Sequence, residues 1–232
     1  MPAPPPLQLA FLFLSLLSLL LPPLLASPPP SSNPSAPSFP HSFSATVHIT
    51  SNLLPDGIEY PPKLRSYRIH YSVPLQKAKI EVLEGTDKGT TYLRSYADKT
   101  EYEVRTGDYP SCSRSHLPTD MPAPLLPALI HIGGSVISSA DTNHFVHATS
   151  LERTHMYFAG DVPVRLLHED VSQGGDVATA LMTYDYEDVA LVGEGGFEEG
   201  VWELGGDWTR EKCELHVGGF PYVHLWHWYL RV

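Results

Sequence analysis

The chain has 232 residues, 42% of them apolar, which is enough for one or two domains and argues against a largely disordered protein. Its 26 Asp and Glu against 15 Lys and Arg give a formal charge of −11, so phosphate polymers and anionic lipid surfaces are repelled overall. Ten acidic side chains fall between Tyr184 and Glu214 (Asp185, Glu187, Asp188, Glu194, Glu198, Glu199, Glu203, Asp207, Glu211, Glu214), and no nucleic-acid partner is expected.

From Leu7 to Leu25 the chain is apolar and uncharged, broken by Pro22-Pro23 and followed by Ala26 and Ser27. An h-region, a break and a small residue in that order read as a secretory signal peptide over residues 1–26. A retained signal anchor is the competing reading, because the whole stretch approaches the length of a membrane span. Residues 27–40, SPPPSSNPSAPSFP, are Pro/Ser-rich and read as an extended linker. A single β-rich domain is expected over 41–232. The one Asn-X-Ser match, at Asn33, is blocked by Pro34, so no asparagine-linked glycan is expected.

Period-two alternation then predicts strands over Phe43–Thr50, Tyr67–Tyr71, Ala78–Val82, Thr91–Tyr96 and Glu101–Arg105. Turn chemistry bounds them at Pro55-Asp56-Gly57, Gly85–Gly89, Ala97–Lys99 and Gly107-Asp108. Strands this close in sequence pair as antiparallel neighbours. Leu117–Pro127 carries four prolines and reads as a connection. Strand-like runs resume at Ile130–Ser138, His144–Thr149, Thr154–Phe158, Pro163–His168 and Ala180–Ala190, with glycine-rich turns at Gly174-Gly175 and Gly193–Gly200. Helical signals are few; Leu125–Ile132 is the best short candidate. The pattern predicts a mainly β fold, one curved antiparallel sheet with an aromatic-lined face. Cys112 and Cys213 are the only cysteines, and in an oxidising compartment they are expected to pair. Basic neighbours (Arg114; Arg210 and Lys212) leave a reactive thiolate as the competing reading.

Several segments resemble the non-catalytic N-terminal module of secreted papain-family proteases of the counting factor associated protein D type. They are FPHSFSATVHIT, YPPKLRSYRIHYS, TYLRSYADKTEYEV, LMTYDYEDVAL and CELHVGGFPYVHLWHWYLRV. The resemblance runs over Phe39–Val232. More distantly, the strand order and Val201–Leu204 resemble the half-barrel class of ependymin and the LolA-like lipoprotein carriers, which implies a curved sheet cupping a lipid-binding cavity. The chain stops at Val232, where the longer proteases continue into a peptidase domain. It lacks the nucleophile segment of that domain, since Cys112 sits in Tyr-Pro-Ser-Cys-Ser-Arg, so peptidase activity is not carried over.

No catalytic constellation is complete. Gly133-Gly134-Ser135-Val136 lacks the closing glycine of a nucleophile elbow. Asp185–Asp188 and Glu198-Glu199 read as solvated acidic surface. His224 and His227, with His216 upstream, have His-X-X-His spacing, but on a strand 224 and 227 point to opposite faces, and neither a metal nor another cofactor is expected. His48, His70, His131, His144, His147, His155 and His168 lie along strand-like runs and read mostly as solvent-facing.

What remains is apolar surface. Phe43, Val47, Tyr67, Ile69, Tyr71, Tyr92, Tyr102, Phe158, Met182 and Tyr184 are the candidate lining of a ligand cavity. The expectation is a non-enzymatic secreted or endomembrane-lumenal (vacuole included) module binding a hydrophobic small molecule, a lipid, in a half-barrel. The alternative is a protein-interaction or pro-region-like module using the aromatic segment with Phe220, Tyr222, Trp226, Trp228 and Tyr229.

Overall fold

A computed structural model describes residues 35, 37–38, 40–52, 63–121, 128–171, 179–193, 196–198 and 200–220. The expectations for residues 1–26, for most of the linker, for the turns at 55–57 and 174–175, and for Tyr222, His224, Trp226, His227, Trp228 and Tyr229 lie outside these. Among the described residues there is no helix, and the strands form one sheet.

The strands are β1 (Ser42–Ser51), β2 (Leu64–Ser72), β3 (Lys77–Glu84), β4 (Thr90–Ser95), β5 (Thr100–Arg105), β6 (Ser111–His116), β7 (Ile130–Ile137), β8 (Ala140–Ala148), β9 (Glu152–Ala159), β10 (Val162–Asp170), β11 (Thr179–Leu191) and β12 (Glu214–Leu215). Their order across the sheet is β12-β6-β5-β4-β3-β2-β1-β11-β10-β9-β8-β7. Two meanders, β1 to β6 and β7 to β11, meet where β1 pairs antiparallel with β11. The result fits the expected mainly β architecture: a curved, half-barrel-like, mostly antiparallel sheet that does not close, without helices among the described residues. The short helix expected at Leu125–Ile132 is not formed by its described part, because Ile130, His131 and Ile132 belong to β7.

Alternation decides which way each strand faces. β1 reads intermediate–buried five times over, with Phe43, Ala45, Val47 and Ile49 inward and Ser44, Thr46, His48 and Thr50 outward. The register carries that phase across the sheet, since residues directly opposite in a ladder share a face. Ala45 lies opposite Ile69, Ile69 opposite Ile80, and Ile80 opposite Tyr92. In the other direction Ile49 lies opposite Tyr184, Tyr184 opposite Leu166, Leu166 opposite Met156 and Met156 opposite Phe145. One bulge makes this continuity possible. Between Ser44 and Thr46 the β11 partner jumps from Ala190 to Glu187, and Asp188 takes up the extra residue at φ 51°. The jump keeps Tyr184 on the inner face while Leu191 pairs with Phe43.

The tight turn between β3 and β4 needs a glycine at its end. Gly89 has φ +85°, and a Cβ there would sit 3.3 Å from the Thr106 hydroxyl that donates to the Gly89 carbonyl.

β6 and β12 were not legible as strands. SCSRSH alternates without hydrophobic residues other than Cys112. It is held by its ladder to β5 and by a disulfide from Cys112 to Cys213, 101 positions later. The same bond brings Glu214-Leu215 alongside Ser113-Arg114 as a two-residue parallel strand. A loop of that length contributes about 3–5 kcal/mol in the chain-entropy account. Reduction, or Cys213→Ser with Cys112→Ser, is expected to lower the thermal midpoint by roughly 10 °C in a calorimetric scan.

Candidate ligand-binding face

The inner face gathers most of the residues that the sequence nominated. Phe43, Val47, Tyr67, Ile69, Tyr71, Tyr92, Phe158 and Tyr184 belong to one buried cluster, and Met182 packs against it partly buried. Phe43 is 0% exposed, Tyr71 and Phe158 1%. Rings meet at an angle, with Phe43 and Tyr71 centroids 5.8 Å apart and Phe145 edge-on to Phe158 at 6.2 Å. Burial pushes the Tyr71 and Tyr184 hydroxyls well above the usual tyrosine range, so these groups stay neutral. The face is wide and mostly apolar, with Ala45, Ile49, Ala78, Ile80, Val82, Phe145, Met156 and Leu166 extending it and Arg65 standing opposite Ile49.

Tyr102 is not part of it. β4 and β5 pair with Leu93 opposite Tyr102, which puts both on the face opposite Tyr92. There Tyr102 joins Leu93, Val104, Cys112 and Cys213 in a second cluster, capped by Trp202, Leu204 and Trp208. An open cleft of about 390 Å³ lies beside this cluster, lined by Tyr102, Trp202, Trp208, Lys77 and Arg210 among others.

Phe220 is also relocated. It was nominated as partner surface, yet it is buried in the inner-face cluster, 6.2 Å from the Tyr92 ring and stacked on His216 at 5.0 Å. The anchor is an ion pair that sequence reading missed. Arg94 and Glu101, register partners on β4 and β5, are 7% and 2% exposed and meet at 2.9 Å from Nη2 to Oε2. Arg94 Nε donates to the same oxygen at 3.0 Å, and the backbone N–H of Phe220 donates to the other, Oε1, at 3.1 Å. The Ser115 hydroxyl donates to the Gly218 carbonyl beside it. A Cβ at Gly219 would meet Glu101 Oε1 at 3.4 Å, so the chain passes close over the pair. Removing one partner from such a pair leaves a buried charge uncompensated. Glu101→Ala is expected to cost about 3–5 kcal/mol in urea unfolding, and Arg94→Met with Glu101→Leu to recover much of that.

On the outer face, His48 links Ser66 (Nδ1 to Oγ, 2.8 Å) to Glu187 (Nε2 to Oε2, 3.2 Å). The residue types match a nucleophile, base and orienting acid, but Ser66 is buried and its hydroxyl donates to Glu84 at 3.2 Å, so no attacking oxygen is presented. A second string runs across β8, β9 and β10. His144 Nε2 lies 2.8 Å from His155 Nδ1, His155 Nε2 lies 3.0 Å from Glu169, and Tyr157 stacks on His144 at 4.2 Å. These histidines are less solvent-facing than expected. Burial, then His155 and His131, hold His144 below the usual histidine range; burial also lowers His70, followed by Lys79 and Arg68 and opposed by Glu81.

A depressed histidine is neutral in the fold and must bind a proton as the chain unfolds into acid. Its stabilisation is full above the unfolded pKa of about 6.5 and is lost as pH falls below that value. The thermal midpoint is therefore expected to fall between pH 7.5 and 5.5, and His144→Gln with His70→Gln to flatten that slope.

The fold and this face define an all-β half-barrel-like module with an apolar inner surface. No family profile matches the chain and no curated protein matches it, so the protease-module resemblance gains no support there. Among solved structures the chain is similar to an uncharacterized conserved protein from Thermus thermophilus, at TM-score 0.45 and 9% identity over 75% of this chain and 89% of that one. It is also similar to MucB in complex with MucA(peri), at TM-score 0.40 and 12% identity over 66% of this chain and 52% of that one. A third similarity is to PNGF-II, at TM-score 0.35 and 4% identity over 75% of this chain and 31% of that one.

Proposed function

We propose that this chain is a non-catalytic binding module that holds a hydrophobic ligand, a lipid, against the inner face of its half-barrel. The observation that supports it is the face itself. Apolar partners run in two rows that meet on β1, one from Tyr92 on β4 to Ala45 and one from Ile49 to Phe145 on β8, across a sheet that is the one layer formed by the described strands. A sheet packed on one side by a second sheet or by helices needs such a face for stability alone. In a single curved layer the same face is suited to an acyl chain.

The ligand is admitted by parting packed side chains, because Phe43, Tyr71 and Phe158 exclude water already. Uptake by that route is slow and retention long, so bound lipid survives purification. The outer face supplies solubility, with Arg68–Glu81 and Arg165–Asp185 pairs among its charges. The domain in this reading is 41–232, following a cleaved signal peptide over 1–26 and the linker to residue 40. The chain works in an extracellular or endomembrane lumen, where the Cys112–Cys213 bond persists.

Native mass spectrometry of the chain secreted from a eukaryotic host tests this. The expected result is a co-purifying mass that denaturation releases and extraction identifies as lipid. A clean apo mass, with no lipid taken up on titration, contradicts it and transfers the assignment to a protein partner at the aromatic segment of Tyr222, Trp226, Trp228 and Tyr229.

A further inference from the structure

Arg94 and Arg65 both stand among the inner-face residues, and only the first is balanced by a carboxylate. Arg65 lies on β2 opposite Ile49, one step in phase from Tyr67. Its Nη2 donates to Ser51 Oγ at 3.3 Å, and the guanidinium also donates to the Tyr67 hydroxyl. Its Nε–H is buried without an acceptor, and none of the ion pairs among the described residues includes it. The carboxylates of the neighbouring strands are engaged elsewhere. Asp185 and Glu187 on β11 pair with Arg165 and His48 on the outer face, and Glu84 on β3 accepts from Ser66.

The charge is felt by the groups around it. Burial raises the Tyr67 hydroxyl; the Arg65 charge opposes that shift, Asp87 adds to it, and the Arg65 hydrogen bond opposes it again. At Tyr184, across β1 on β11, burial raises the hydroxyl and the Arg65 charge opposes it there too. A guanidinium carries more N–H donors than these contacts use, and its planar fork meets a carboxylate in two parallel charge-assisted bonds. The position is reachable. Arg65 is partly exposed and sits at the rim of the face, near the ends of β1 and β2. From there the face continues as the pairs Tyr67–Val47, Ile69–Ala45 and Tyr71–Phe43, six residues of strand from Arg65 to Tyr71, or roughly 20 Å.

We infer that Arg65 anchors the carboxylate of a fatty acid whose chain runs along β1 and β2 toward Phe43 and Tyr71. The inference rests on the reading of the inner face as a lipid site and narrows it, from a hydrophobic ligand in general to a single-chain anionic one. Arg94 cannot serve in this way, because Glu101 already holds its guanidinium. A neutral lipid would leave the Arg65 charge without a counter-ion beside an apolar surface, whereas a carboxylate supplies one. A small anion without a chain is disfavoured by the formal charge of −11, so the tail provides the burial and the head provides the selection. Arg65 is thereby a specificity residue for the head group, set at one end of the apolar face.

Fluorescence titration of the secreted chain, freed of bound lipid on a hydrophobic resin, tests it with a polyene fatty acid and the methyl ester of the same acid. The acid is expected to bind roughly tenfold or more tightly than the ester, the scale of a charged hydrogen bond. Arg65→Met is expected to remove that difference by weakening the acid alone, and the unchanged ester affinity reports that the face is intact. Arg65→Lys, which keeps the charge without the fork, is expected to retain part of the preference. The comparison of acid with ester on the unaltered chain stands even if a variant fails to fold. Equal binding of the two probes, or an acid preference that survives Arg65→Met, overturns the anchor and leaves the hydrophobic-ligand reading in place. Binding of neither probe overturns both. Acetate that displaces the fatty acid at equal concentration marks a small-anion site and overturns the assignment to a lipid head.

Discussion

The described strands lie in a single layer, and that constraint shapes the rest of the molecule. Open, strongly twisted sheets of more than about ten strands curl, split or flatten. This one curls, and the buried apolar side chains of β1 to β3 and of β8 to β11 hold one side of it, while a smaller cluster with Tyr102 lies on the other. Curvature brings Phe43, Tyr71, Phe145 and Phe158 into a common cluster that a flat sheet would leave wet. The Asp188 bulge belongs to the same logic. Without the extra residue, the long β11 would turn Tyr184 outward or Leu191 out of register with Phe43.

The inner surface is mostly apolar, and its one buried ion pair among the described residues sits near an end. Arg94 and Glu101 satisfy each other, and the spare carboxylate oxygen takes the Phe220 N–H, so a polar pair inside an apolar face acts as a fastener for the chain from His216 to Phe220. The disulfide fastens the same region from the outer side, where Cys112 and Cys213 close a small second core with Tyr102 and Trp202. That end of the sheet is tied by covalent and ionic links. The β7 end is tied by neither among the described residues, and its glycines and exposed isoleucines give it a different character.

How much of this was legible in the sequence follows from which signals are local. Phe43, Ala45, Val47 and Ile49 alternate within a single strand, so β1 and its inward face could be read directly, as could β2, β3 and the runs that became β8 to β11. Tyr102 could not be placed. Which face it takes depends on the β4–β5 register through the Ala97–Lys99 turn, and a one-residue change in pairing would return it to the Tyr92 side. β6 had no apolar periodicity to announce it, and β12 exists through a bond to a residue 101 positions away. Phe220 looked like exposed aromatic surface because the partner that buries it, Glu101, reads in sequence as one charge among several on an alternating strand. The His144–His155–Glu169 string joins three strands and needs the register to be seen at all.

The central claim is that the inner face is where a hydrophobic ligand sits, and methyl-resolved NMR with a ¹³C-labelled acyl-chain probe addresses it most directly. Labelled methyls of Val47, Ile49, Ile69, Ile80, Val82 and Leu166 all belong to this face. Intermolecular Overhauser contacts from the acyl chain to these methyls, with Ile130, Ile132 and Val136 unaffected, are the result predicted. Contacts confined to the β7 edge or to the cleft beside Tyr102, or none at all, would contradict the account.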